Sequence, residues 1–151
     1  MAAVLARSVP IDRMDQRQSD TGYPVPGVPM PDPDDGPEAA LHRQLTALAD
    51  NDDPVADAGV KTAYNYASPA NRRRTGPYER FARMVHSDRY APLVDHVEAV
   101  PGPLEKDWNA ATRRVTVTGP DGRTRTYEFR LSPAGTGPFR NCWQTDAVVV
   151  V

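Results

Sequence analysis

His42, His86, His96, Cys142, the tyrosines at 64 and 66, and the triplet Arg72-Arg73-Arg74 are the side chains best equipped for chemistry in this chain of 151 residues. Their spacing decides how much of it they can do. No HxH or HExxH pair sets two imidazoles on one face, so neither a metal site nor a cofactor is expected. One cysteine excludes an intrachain disulfide and any multi-cysteine centre. Beside Trp143 and without an accompanying His/Asn motif, Cys142 reads as a small buried hydrophobe rather than an activated thiol. GxSxG elbows, Walker loops and GxGxxG turns are absent.

The histidines read as satisfied or solvated groups. His86 falls near the end of a helical stretch, where the negative end of the dipole favours it. His96 points in or out according to strand register. With Asp95 it is the residue an acid–base site would use, since general catalysis needs a titratable group beside the reacting atoms. The arginine triplet, flanked by Asn71 and Thr75, stands just ahead of a predicted helix N-terminus. Three guanidiniums there could hold phosphate or carboxylate, but a solvated turn pairing with Asp52, Asp53 or Glu79 is the expectation. Nucleic acid would need a wider basic stripe interleaved with aromatics. The net charge of −2 supplies no field toward nucleic acid or anionic lipid.

The elements that must position these groups follow from periodicity. Residues 1–36 are rich in proline (Pro10, Pro24, Pro26, Pro29, Pro31 and Pro33) and poor in large apolar side chains, the composition of a disordered tail. Pro26-Gly27-Val28-Pro29 matches a loose PxxP pattern and reads as spacer. One domain is expected over 37–151. Asp35-Gly36-Pro37-Glu38 opens a helix carrying Leu41, Leu45 and Leu48, and Asn51 to Pro54 stop it. Asp57 caps a second helix with Val60, Ala63, Tyr64 and Ala67 as its stripe, which Ser68-Pro69 ends. Tyr64 lies on that stripe, whereas Tyr66 faces elsewhere, nearer the surface. Pro77 opens a third helix with Phe81 and Val85 inward.

Beyond about residue 92 the period shortens toward two. Leu93–Val100 reads as a strand bounded by Pro101 and Pro103, with a helix as the alternative for LVDHVEAV, and Thr112–Thr118 as another strand. Gly119-Pro120-Asp121-Gly122 is a turn, with proline pre-set for its second position. Thr124–Leu131 places Arg125, Tyr127, Phe129 and Leu131 on one face, and Asn141–Val150 is a last strand. Three helices and then about four antiparallel strands make an α+β domain with its helices on one face of the sheet. No apolar run approaches the ~20 residues of a membrane helix, and a cytoplasmic location is the expectation, with organelle targeting through Arg7, Arg13 and Arg17 as the alternative.

Several phrases carry a resemblance. Leu45-Thr-Ala-Leu-Ala-Asp-Asn-Asp, Asp57-Ala-Gly, Tyr66-Ala-Ser-Pro-Ala-Asn, Gly76-Pro-Tyr-Glu-Arg-Phe and Gly137-Pro-Phe-Arg-Asn-Cys-Trp-Gln-Thr-Asp resemble a family of small uncharacterised domains. That family is grouped with the nuclear-transport-factor-two-like (NTF2-like), cystatin-like α+β fold. The resemblance covers roughly residues 38–148. It implies a cone of helices against a curved sheet with a pocket at the open end, and it implies no activity.

The functional expectation is a non-catalytic module that binds a small molecule or another protein, with Tyr64, Phe81, Tyr127 and Trp143 lining its pocket. A homodimer stays open. The alternative is an isomerase- or dehydratase-like pocket enzyme with His96 or Asp95 as base and a tyrosine as oxyanion donor.

Overall fold

A computed structural model of the chain describes residues 22–151. Among these residues, four α-helices precede a four-stranded antiparallel sheet, the α+β arrangement expected. Helix α1 is Pro37–Ala49, with Pro37 in its first turn. Its N-cap is Gly36, and the Asp35 carboxylate just before it takes the Arg43 guanidinium at 2.7 Å. Leu41, Leu45 and Leu48 are buried as their spacing requires, and so is Gln44 among them.

Helix α2 is Ala58–Tyr66. It is capped from outside: Asn51 Oδ1 accepts from Val60 N at 3.0 Å, and Asn51 Nδ2 donates to Asp57 at 2.8 Å. Gly59 lets α1 and α2 touch, for a Cβ there would lie 2.4 Å from Ala47 O. Ser68-Pro69 ends α2 but also starts a helix the sequence pattern did not indicate, α3, Pro69–Thr75. Ser68 Oγ accepts from Asn71 N and Pro69 fills the first turn, both helix-start signals. The run PANRRRT has no apolar stripe to reveal it. Helix α4 is Tyr78–Val85, with Phe81 and Val85 buried. His86 follows at its C-cap, Nε2 lying 3.0 Å from Asp57 Oδ1.

The strands are β1 Glu98–Lys106, β2 Ala111–Thr118, β3 Thr124–Pro133 and β4 Trp143–Val150, side by side in that order. Strand β1 departs from the sequence reading. Residues Ala91–Leu93 form a 3-10 turn, and Pro101 and Pro103 lie inside the strand rather than bounding it. As an edge strand, β1 tolerates prolines, and its register slips between Pro101 and Leu104. The β2–β3 hairpin turns where expected, with Gly122 N bonding Gly119 O at 3.0 Å and Gly122 at φ +88°. Val115, Val117, Tyr127, Phe129 and Leu131 join the helical leucines in one core. The alternate residues form the other face, where Thr116 meets Thr126 and Glu128 takes Arg114 and Arg130. A second slip lies between Arg130 and Leu131 against β4, at Asp146.

The expected tail divides in two. Residues 1–21 lie outside the described residues. Residues 22–36 do not form a free tail: they lie against α2, where the Asn65 side chain bonds their backbone. Asn65 Oδ1 accepts from Val25 N at 2.7 Å, and its Nδ2 donates to Val25 O and Pro29 O at 2.9 and 3.2 Å. Tyr23 OH donates to Asn65 O at 2.7 Å, and Val28 is buried. Proline-rich chain is already extended and loses little freedom on docking. This contact also corrects the reading of Tyr66. It is fully buried, donates to Met30 O at 3.1 Å, and burial pushes its pKa up to about 12.

Candidate functional site

Between the helices and the β3–β4 half of the sheet lies a cavity of about 310 Å³. Its interior starts from an unusual residue choice on α1. Gln44 stands on the same stripe as Leu41 and Leu48, yet only 2 % of it is exposed. A buried carboxamide must find partners. The partner here is Thr145 of β4, equally buried, whose hydroxyl lies 2.9 Å from Gln44 Nε2 and 3.1 Å from its Oε1. Gln44 Nε2 also reaches Ala40 O at 3.2 Å. From α3, Asn71 Nδ2 donates to Thr145 O at 3.1 Å, and its Oδ1 accepts nothing from the described residues. All three polar residues line the cavity. Its apolar wall includes Leu48, Phe81, Val85, Leu93 and Phe129.

The rim is mixed. Arg74 and Thr75 come from α3, Met84 from α4, Tyr90 from the following turn, and Ala147 and Val148 from β4. Arg74 is exposed and its Nη2 donates to Asp146 O, so the side chain bridges α3 to β4. Tyr90 OH ties the other side of the rim to Val148 O at 3.0 Å. Among the described residues, no aspartate, glutamate, histidine or cysteine lines the cavity.

Of the four residues expected to line a pocket, Phe81 does. Tyr64 sits behind it, 5.1 Å between ring centroids, in a cluster with Tyr78 and Tyr23. Tyr127 is fully buried beside Tyr90, donates to Arg89 O at 2.7 Å, and burial raises its pKa to about 12. Trp143 is half-buried at the start of β4, opposite Pro133. None of these three is on the cavity wall.

His96 and Asp95 are also elsewhere. His96 is buried with Nδ1 2.8 Å from Leu93 O. Asp95 is exposed, sits at φ +57° and accepts from Asn51 N at 3.1 Å. The structure brings neither one to the cavity nor to Tyr64. Cys142 is buried, and burial pushes its thiol pKa up, opposite to activation.

The arginine triplet separates into three environments. It occupies the last turn of α3 rather than a loop before α4, so its charges meet the carbonyl end of a helix. Arg72 is buried: Nη1 donates to Ala67 O at 2.7 Å and the guanidinium lies 3.4 Å from the Tyr23 ring centroid. That corrects the expected solvated turn for this residue. Arg73 is exposed and off the cavity, and Arg74 is on its rim.

Sequence reasoning missed Gln44, Asn71 and Thr145. Gln44 had a usable signal, a carboxamide on an otherwise apolar stripe. Asn71 and Thr145 had none. No group of three or more potential ligands for a metal occurs among the described residues, and no helix there is long and apolar enough to cross a membrane.

A family model described as a domain of unknown function, DUF4864, matches residues 33–151. No curated protein and no solved structure matches the chain.

Proposed function

The chain belongs to the DUF4864 family, and we propose that its domain is a small-molecule-binding module with no catalysis of its own. One observation carries the reading: a cavity of about 310 Å³ with apolar walls, a buried amide–hydroxyl cluster, and no carboxylate, imidazole or thiol among the described residues of its lining. Its size falls at the lower end of small-molecule pockets, and a few fixed polar groups on an apolar wall are what orient a ligand. Acid–base chemistry needs a titratable group within reach of the reacting atom, and neither His96 nor Asp95 supplies one here. We also assign the fold to the cystatin-like, NTF2-like class. Support comes from the antiparallel meander, the helices gathered on one face, and the register slips in β1 and β4, since bulges bend strands.

The test is a fragment screen by ligand-observed NMR on the full chain, repeated with Ala63→Trp, Ala63 of α2 being a cavity-lining residue whose enlargement fills the space. Hits lost in that variant, with its fold intact by circular dichroism, support the reading. Hits that bind both proteins equally, or no hits, refute it.

A further inference from the structure

We infer that the cavity takes a small carboxylate with an apolar body, its acid group at the mouth on Arg74 and its body against Phe81, Leu93 and Phe129. The inference rests on the binding-module reading and adds the chemical class of the ligand.

Arg74 is the one cation among the described residues that line the cavity. Arg74 donates to the backbone oxygen of Asp146 and makes no ion pair among the described residues. That bond uses one of five guanidinium N–H donors and fixes the head beside β4, leaving the others for an incoming anion. The one carboxylate at this point of the chain, Asp146, instead accepts from Ser132 Oγ. With no acid among the described residues of the lining, none of them repels an anion or neutralises Arg74. A guanidinium in that position selects planar, bidentate oxyanions, of which carboxylate is the one that accompanies an apolar body of this size. Phosphate alone would leave the apolar interior unfilled.

The neighbouring arginines cannot share the role. Arg72 is engaged with Ala67 O and the Tyr23 ring, and Arg73 is off the cavity. Arg73→Ala therefore removes the same charge from the same helix turn without touching the site.

The test compares acids with neutral isosteres: octanoate with octanamide, and phenylpropanoate with phenylpropanamide, by calorimetric titration at matched ionic strength. In the wild type and in Arg73→Ala, each acid is expected to bind about tenfold more tightly than its amide, the scale of one hydrogen bond to a charged partner. In Arg74→Ala the acid is expected to fall to the affinity of the amide, with the amide unchanged. Arg74→Lys should recover part of the preference, because it restores charge without the fork. Equal affinities of acid and amide in the wild type overturn the carboxylate assignment while leaving a binding cavity. A preference lost equally in Arg73→Ala and Arg74→Ala also overturns it, as a general field effect. Failure of all four probes and of the fragment screen removes the binding reading itself.

Discussion

Arg72 offers the sharpest test of how this structure is held together, because composition and tertiary contact say opposite things about it. A member of an arginine triplet should be dispensable, and a surface substitution changes stability by no more than ~0.5 kcal/mol. The structure buries Arg72 to 5 % exposure between the α2–α3 link and Tyr23. Its 2.7 Å bond to Ala67 O is charge-assisted, a class contributing ~1.5–3 kcal/mol. A largely desolvated cation over an aromatic face adds ~1–2 kcal/mol. Two considerations lower the sum. Ala67 O keeps a second donor, Gln144 Nε2 at 3.1 Å, so it is not orphaned by the substitution. Removing the guanidinium also ends the cost of burying a charge. Arg72→Ala should therefore cost about 2–3 kcal/mol, a fall in Tm of roughly 6–15 °C for a domain of this size. Urea unfolding of Arg72→Ala and Arg73→Ala side by side measures it, with unchanged m values confirming two-state behaviour. A double-mutant cycle with Tyr23→Leu should show coupling of ~1 kcal/mol or more. Two single variants within ~0.5 kcal/mol of the wild type would refute the buried role.

Three further outcomes follow from the same packing. A chain beginning at Gly36 should be less stable than one beginning at Gly22 by on the order of 2–4 kcal/mol, since Asn65 and Tyr66 lose their partners at Val25, Pro29 and Met30; equal melting of the two would refute the docking of this segment. Phe129→Ala should cost ~3–5 kcal/mol in urea unfolding, because the ring is 2 % exposed at the centre of the sheet; a loss under ~1 kcal/mol would mean the wrong face of β3 is buried. Tyr66, Tyr78 and Tyr127 have pKa values raised to about 12 by burial, against 10 unperturbed. Their contribution to stability is complete below pH 10 and is lost as the pH rises toward 12, because the unfolded chain releases those protons first. A spectrophotometric titration should show late phenolate formation that Tyr66→Phe and Tyr127→Phe each reduce.

What the sequence determined alone is what neighbours along the chain decide. Leu41, Leu45 and Leu48 recur at the helical period and must share a face, so α1 was legible with its proline start. Gly119-Pro120-Asp121-Gly122 turns the chain by its own backbone preferences, and the alternation of Val115, Val117, Tyr127 and Phe129 then sets the register of the β2–β3 hairpin. Everything missed depends on chain brought from far away. The cavity's polar floor joins Gln44 to Thr145 across 101 residues. Tyr66 is buried by Met30, and Arg72 by Tyr23, through a segment whose proline content resembles that of a free tail. Helix α3 has no apolar stripe, and the link before it is held by Ser68 N bonding Thr145 O at 2.9 Å. Pro101 and Pro103 can continue β1 because it lies at the sheet edge, a position no local pattern encodes. Burial and hydrogen-bond satisfaction are properties of the assembled core. A polar or charged side chain therefore acquires its role from whichever distant group the fold places against it.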